Sequence, residues 1–384
     1  MTTATFPEAV PVLTDGVVTL RAHHAGDVDG VLEQCLDPVS RAWTTVPVDY
    51  TREQAEGFVG ARVPAAWAAG SWVFAVEATD DTGVARFCGT VELRHEGDAR
   101  AEIAYGAHPW ARGRGIVHRA LELLLAWGFE EQGLQTVIWW ANRGNWASRR
   151  AAWRLGFTLE GTVPQWLPQR GVLRDAWVGV LRAGDERAPR TDWLVAHRVE
   201  GEKVVLRPWR LEDAERVVQA CTDERTRHWL WRLPDPYTRP DAEDYLASRV
   251  ELLATGAGVG WAVADARTDE LLGSIALFDL TRGRDAEIGY WAHPDARGRG
   301  VMSEGCALAV RHAFASADDG GLGLQRLQVS AAEGNAASQR VIAANGFVRT
   351  GRERRSLRLG DGSLTDCVTY DLLAEEYAGT ASAR

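Results

Sequence analysis

Lysine is nearly missing from this chain: of 43 basic residues, only Lys203 is not an arginine. That skew fits the codon usage of a GC-rich bacterial genome and excludes no function. Long apolar runs are missing too. The longest apolar stretch, around 121–129, is broken by Glu122 and by Trp127-Gly128, well short of the roughly 18 residues of a membrane span. The first residues, Met1-Thr2-Thr3-Ala4-Thr5-Phe6-Pro7-Glu8, have no basic region followed by an apolar core, so no secretory signal is expected. Cysteines are few and scattered: Cys35, Cys88, Cys221, Cys306 and Cys367 include no C-x-x-C pair. An odd, dispersed set argues against a disulfide framework and against a zinc site. Each cysteine is expected as a small buried residue in a reducing cytoplasm. Positive charge is in deficit, with a net charge of −10, which argues against nucleic-acid binding and predicts a soluble acidic surface. No metal, no nucleic acid and no membrane are expected as partners.

What the chain does contain is a repeat. Tyr105-Gly106-Ala107-His108-Pro109-Trp110-Ala111-Arg112-Gly113-Arg114-Gly115-Ile116 returns as Tyr290-Trp291-Ala292-His293-Pro294-Asp295-Ala296-Arg297-Gly298-Arg299-Gly300-Val301. Further matches keep the same order. Leu20-Arg21 pairs with Leu206-Arg207, Gly89 with Gly273, Glu102 with Glu287, Asn145 with Asn335, Gly156-Phe157 with Gly346-Phe347, and Asp175 with Asp366. Collinearity of this kind marks duplication. Two domains are therefore expected, at 10–182 and 197–376. The charged, aperiodic segment 183–196, which contains Gly184 and Pro189, reads as a linker.

Each copy carries the same pattern. In the first, helices are expected at 25–36 and 52–69, strands at 71–77, 88–93 and 100–106, a long helix at 115–132, a strand at 136–140, a helix at 145–155 and two closing strands. The second copy repeats these at 211–222, 239–255, 260–265, 273–278, 285–291, 300–317, 326–330, 335–344 and 365–372. The fold class is α/β (α+β), with a mixed, mostly antiparallel sheet flanked by helices in each half.

The Arg-Gly-Arg-Gly turns join a strand to a helix, which leaves backbone N–H groups free at the positive end of the helix dipole. Such a cradle suits a phosphate or diphosphate. The turn lacks the G-x-G-x-x-G spacing and acidic ribose partner of a dinucleotide fold. Arg112, Arg114, Arg297 and Arg299 are expected to pair with the phosphates.

The glycine turn, its helix, the Asn-x-x-Ser helix and the Gly-Phe stop together resemble the GNAT superfamily of N-acetyltransferases. The nearest branch is that of the ribosomal-protein N-terminal acetyltransferases (RimJ/RimL-like). The resemblance implies two tandem acyl-CoA N-acyltransferase domains and acetyl-CoA as co-substrate. Its cofactor residues would be Ala107, His108, Arg112, Gly113, Arg114, Gly115, Ile116 and Asn145, and Ala292, His293, Arg297, Gly298, Arg299, Gly300, Val301 and Asn335. The sequence departs from the family signature at Val117 and Met302, where a small residue is usual. Ser303-Glu304, common in relatives, is His118-Arg119 in the first copy, so catalysis is expected in the second.

Acetyl transfer to an amine needs a polarised carbonyl, a neutral amine and a protonated leaving thiolate. Backbone N–H groups near Ala107-His108 and Ala292-His293 are expected to serve as the oxyanion donors. Glu102 and Glu287 are the candidate proton acceptors, and Ser148 and Ser338 the candidate thiolate-side donors, as the resemblance implies. The bland alternatives are a solvated strand Glu and a helix-face Ser bonded to backbone. His108 and His293 read as packed loop residues, and His23-His24 as exposed. Trp139-Trp140, Trp146, Trp153 and Trp166 cluster in the first copy and would line either an acceptor cleft or a core. The expected activity is direct acetyl transfer to a primary amine, a small molecule first. A protein N-terminus is the alternative acceptor, and an acyl-CoA-binding pseudoenzyme or scaffold the alternative class. The resemblance also admits a homodimer.

Overall fold

The computed structural model describes residues 9–381, with side chains described to residue 377. Residues 1–8, read above for a secretory signal, lie outside the described residues. The chain divides into two compact units between Arg190 and Thr191.

In the first unit, strands β1 (Leu13–Thr14), β2 (Val18–Arg21), β3 (Ser71–Thr79), β4 (Ala85–Gly97), β5 (Arg100–Ala107), β6 (Thr136–Asn142), β7 (Thr158–Gln169) and β8 (Val172–Arg182) form one sheet. Its order is β1-β2-β3-β4-β5-β6-β8-β7. Helices α1 (Val28–Leu36), α2 (Pro38–Trp43), α3 (Arg52–Gly57), α4 (Val63–Ala68), α5 (Ile116–Glu130) and α6 (Trp146–Arg154) accompany it. The second unit repeats the plan. Strands β9 (Val199–Glu200), β10 (Val204–Arg207), β11 (Val259–Asp265), β12 (Leu271–Thr281), β13 (Asp285–Ala292), β14 (Arg326–Ala332), β15 (Val348–Arg358) and β16 (Leu364–Leu373) run in the order β15-β16-β14-β13-β12-β11-β10-β9. Its helices are α7 (Ala214–Thr222), α8 (Glu224–Trp229), α9 (Arg239–Ala254), α10 (Val301–Phe314), α11 (Ala336–Ala344) and α12 (Ala374–Ala381). All pairings are antiparallel except β5 with β6 and β13 with β14. The mostly antiparallel sheets read from the sequence are present in both copies.

The apolar spacing of α5 explains its place. Ile116, Ala120, Leu121, Leu124 and Leu125 are buried, against Leu20, Phe74, Val91 and Ile103 of the sheet. Val301, Cys306, Ala309, Val310 and Ala313 do the same for α10. The Gly-Phe stops end α6 and α11. Gly156 (φ +83°) and Gly346 (φ +82°) take the left-handed conformation, and Phe157 N–H donates to the Ala152 carbonyl, as Phe347 N–H does to Ile342. This is the Schellman arrangement that glycine permits.

Several expectations are corrected here. Helices α2 and α8 were not anticipated; each is a short turn capped by an aspartate, Asp37 or Asp223. The helix expected over 52–69 widens into a five-residue π-turn, Phe58–Arg62. Pro64 follows, has no N–H to donate and clashes with the carbonyl four residues back, so the helical ladder opens there. The division between the units falls within segment 183–196, read above as a linker, and that segment makes contacts of its own. The Arg187 guanidinium lies over Phe129 and Arg190 pairs with Asp185. Beyond the division, Leu194 N–H donates to Leu253 and Ala196 is buried in the second core.

His23 is packed rather than exposed. Its ring meets Phe58 and Phe87 edge-on or tilted, Nε2 lies 3.1 Å from Thr90 Oγ1, and Nδ1 is buried without a partner. Burial lowers its pKa to about 4 from 6.5. Between those values the unfolded chain binds a proton that the folded chain does not. Stability of the first unit must therefore fall as pH drops through that window. Thermal unfolding across it is expected to show the loss, and His23→Gln to flatten it. An unchanged pH slope in that variant would assign the effect elsewhere.

Candidate functional site

Proline 109 ends β5, because it cannot continue the ladder, and starts one tight turn, Pro109–Ala111. Gly113 (φ +73°) and Gly115 (φ +77°) then bend the chain into α5; Gly298 (+75°) and Gly300 (+76°) do so before α10. A Cβ on Gly113, Gly115 or Gly298 would meet no atom within 4 Å, and one on Gly300 would lie 3.9 Å from Lys203 Nζ. The space before both helices is open. Gly115 and Gly300 occupy the N-cap positions, and no side chain caps either helix. Ile116 and Val301 are buried, so what they offer to that space is backbone N–H at the positive end of the dipole.

Two of the four arginines beside it are held by protein acceptors. Arg112 donates to Asp37 Oδ2 (2.6 Å), Ser40 Oγ (2.9 Å) and the Ala107 carbonyl (3.2 Å). Arg297 donates to Asp223 Oδ1 and Thr226 Oγ1 (2.7 Å). Each bolts the glycine turn to the capped end of α2 or α8, and the Arg297 guanidinium holds the Asp223 carboxyl below the usual carboxylate range. Arg112 and Arg297, expected from the sequence to pair with phosphate, are thus paired here with the carboxylates of Asp37 and Asp223. Arg114 pairs with Asp81 (2.8 and 3.0 Å) and Arg299 with Asp265 (3.7 Å). Both pairs are exposed and worth little, so these two arginines remain free to exchange partners.

Beside the turn the sheet splays. Parallel pairing of β5 with β6 stops at Ile103 and Trp139, and that of β13 with β14 at Glu287 and Gln328. His108 N–H donates to the Cys88 carbonyl and His293 N–H to Leu272, each at 2.8 Å. Those two amides are spent and are withdrawn as oxyanion donors. Antiparallel ladders alternate, so the N–H groups of Tyr105 and Ala107, and of Tyr290 and Ala292, point the other way, into the gap.

The Asn-x-x-Ser helices border the same gap. Asn145 and Asn335 are N-caps: each Oδ1 accepts from the N–H of Ser148 (3.2 Å) or Ser338 (3.1 Å), a local role typical of Asn. The serine hydroxyls meet tyrosines missed as site residues. Tyr105 OH lies 2.8 Å from Ser148 Oγ and Tyr290 OH 3.0 Å from Ser338 Oγ. Burial pushes the Tyr105 hydroxyl up to about 12 and the Tyr290 hydroxyl above the phenol range, so both stay protonated. The copies then differ. Ser148 Oγ also accepts from Trp139 Nε1 (3.1 Å), whereas Val329 stands in the matching place in β14. In the second unit Tyr290, Ala292, Gly298, Gly300, Asn335 and Ser338 line one groove of about 420 Å³, roofed by Trp229 and Leu230.

Glu102 and Glu287 do not touch these serines. They are three residues before the tyrosines, and side chains alternate along a strand, so they lie on the opposite sheet face. Glu102 pairs with Arg94 (2.9 Å); burial nonetheless raises its pKa. Glu287 Oε1 accepts from Ser330 Oγ (2.9 Å). His108 and His293 are buried beside Glu33 and Asp295 respectively. Among the described residues no group of three or more His, Cys, Asp or Glu is placed to hold a metal. No described helix is long and apolar enough to cross a membrane. Of the tryptophan cluster, Trp139 is core, while Trp140 and Trp166 stack at 5.6 Å.

Sequence reasoning missed Asp37 and Asp223, the tyrosine hydroxyls, and the groove residue Trp229 with its counterpart Trp43 at the end of α2. The collinear repeat held the signal for all of them: each recurs in register.

A family model described as "Acetyltransferase (GNAT) domain" matches the chain twice, at residues 18–158 and 203–348. The putative ribosomal N-acetyltransferase YdaF of Bacillus subtilis is 29% identical over 186 residues, covering 46% of this chain and 95% of that protein. The probable N-acetyltransferase YjcK of the same organism is 26% identical over 166 residues, covering 42% and 89%. Among solved structures, Mycobacterium smegmatis RimJ in complex with CoA-disulfide aligns with a TM-score of 0.43 at 22% identity, covering 49% of this chain and 96% of that one.

Proposed function

Because this chain belongs to the GNAT acetyltransferase family, carries its domain twice and is an N-acetyltransferase, we propose that its second domain acetylates a protein N-terminus, with acetyl-CoA as donor. The observation that carries this is one groove containing an open glycine cradle, two unpaired strand amides and a Tyr-Ser pair.

Acetyl-CoA supplies the acetyl group as an activated thioester. The cradle fits its diphosphate: glycines that leave the space open, an uncapped helix, and Arg299 and Lys203 nearby. The N–H groups of Tyr290 and Ala292 donate where a carbonyl oxygen gains charge. Ser338 Oγ, ordered by Tyr290, holds the proton for the leaving sulfur. Loss of the amine proton is a light demand, because a protein α-amino group has a pKa of about 7.7–8.0; Glu287, on the opposite face of β13 from Ser338, takes it from an acceptor that enters from that face. The protein acceptor displaces the small molecule favoured by the sequence, on the strength of a relative named for ribosomal N-acetylation. We assign the lesser activity to the first domain, whose Ser148 hydroxyl is engaged by Trp139.

Free-thiol release from acetyl-CoA should be faster with Ser- or Ala-starting peptides than with small amines. Ser338→Ala is expected to lower kcat about a hundredfold or more with little change in KM for acetyl-CoA, and Ser148→Ala to change it little. Full turnover in Ser338→Ala would remove the proton role, and a small-amine preference would overturn the acceptor.

A further inference from the structure

The two copies part company most sharply on the edge strand beside the groove. Strand β7 contains no basic residue, whereas its counterpart β15 carries Arg349, Arg352, Arg354, Arg355 and Arg358 with one acid, Glu353. The architecture under the change is conserved. Both strands bulge opposite β8 or β16. Gln165 (φ +48°) and Arg355 (φ +52°) sit in the left-handed region at the same place. Each donates its N–H to an aspartate, Asp175 (3.0 Å) or Asp366 (2.8 Å). A non-glycine residue in that region costs of order 1 kcal/mol and persists only where its surroundings impose it. The backbone device is thus kept in both units and its side chains are exchanged: Pro164-Gln165-Trp166 becomes Arg354-Arg355-Ser356.

This strand is tied to the groove at both ends. Arg352 pairs with Asp366 and Glu333, and Glu333 N–H donates to the Asp366 carbonyl, two residues before the Asn335 cap. At the far end Gly360 N–H donates to the His228 carbonyl of α8 (2.8 Å), next to the roof residue Trp229. Arg232 and Arg358 stand over the exposed Trp231 ring at 4.9 and 5.3 Å. In the first unit the matching strand instead stacks Trp166 on Trp140, an apolar cover. Arg349, Arg354, Arg355 and Arg358 have no acidic partner among the described residues, and such a concentration of charge on an exposed edge is unusual in a chain whose net charge is −10.

We propose that β15 is a docking strip for an acidic peptide segment, and that the second domain selects acceptors with Asp or Glu following the amino-terminal residue. This rests on the protein-acceptor function above. Charge complementarity chooses the occupant: arginines present forked donors to carboxylates, and rim charges act chiefly on encounter and on salt dependence.

The test uses the full chain with CoA present and two fluorescent peptides of equal length, one acidic and one basic after the first residue. Anisotropy is expected to show binding of the acidic peptide, weakened by salt. Replacing Arg349 and Arg354 together by Glu should weaken it about tenfold, some 1.4 kcal/mol, and leave acetyl-CoA affinity unchanged. Equal binding of both peptides, binding of neither, or no effect of the double variant would overturn the strip. Acid-selective binding without acetylation of the peptide would keep the strip and overturn the protein-acceptor reading. Acetylation without acid preference would do the reverse.

Discussion

Gly300→Glu is expected to weaken acetyl-CoA binding to the second domain at least a hundredfold, read by calorimetry on the full chain. Two effects combine. At φ +76° any side chain costs about 1 kcal/mol. More important, the new carboxylate enters the space that the helix amides face, where an anion is meant to sit. Its Cβ would lie 3.9 Å from Lys203 Nζ, so it would also occupy the one lysine available there. About 3 kcal/mol in total corresponds to roughly a hundredfold. Gly300→Ala carries the strain without the charge and should lose only a few-fold. Gly115→Glu is the same experiment on the first domain. Wild-type affinity in both carboxylate variants would end the assignment of these turns to the diphosphate.

The second large effect concerns stability. Asp213→Ala is expected to destabilise the second unit by about 3–5 kcal/mol, because it strands a buried charge. Arg207 and Asp213 are both nearly excluded from solvent, their side chains 2% and 6% exposed. They make two hydrogen bonds of 2.8 Å, and Asp213 also accepts from the Arg210 N–H at 2.9 Å. Asp269, 3.2 Å from Arg207 Nε, compensates only partly from a more exposed position. In a domain of this size the loss corresponds to roughly 10 °C in melting temperature. Scanning calorimetry should show the second unit's transition moving down while the first stays. The matching pair in the first unit, Arg21 with Asp27, is wetter on the arginine side, so Asp27→Ala should cost less. A shift of a degree or two for Asp213→Ala would mean that water or Asp269 takes over the charge.

The Leu-Arg repeat that announced the duplication thus has a physical cause. Its arginine is buried and needs a fixed acid, but that acid lies across a turn and has no signature of its own. The same holds at the site. The glycines were legible because left-handed backbone before a helix demands them. The fates of Arg112 and Arg297 were not, because Asp37 and Asp223 are about 75 residues away. Which amide faces the splay was hidden too: Ala107 and His108 are neighbours in sequence, yet the ladder points them in opposite directions.

The collinear repeat and the side-chain periods by themselves fixed the duplication, the mixed sheets and the helix that follows each glycine turn; the family was legible only as a resemblance carried by the motifs. These are local matters, set by side-chain period, backbone freedom and the matching of one copy against the other. Only the folded chain decided which polar groups were already spent. A hydrogen bond or ion pair belongs to two residues, and here the second partner was brought in by strands and caps far along the sequence.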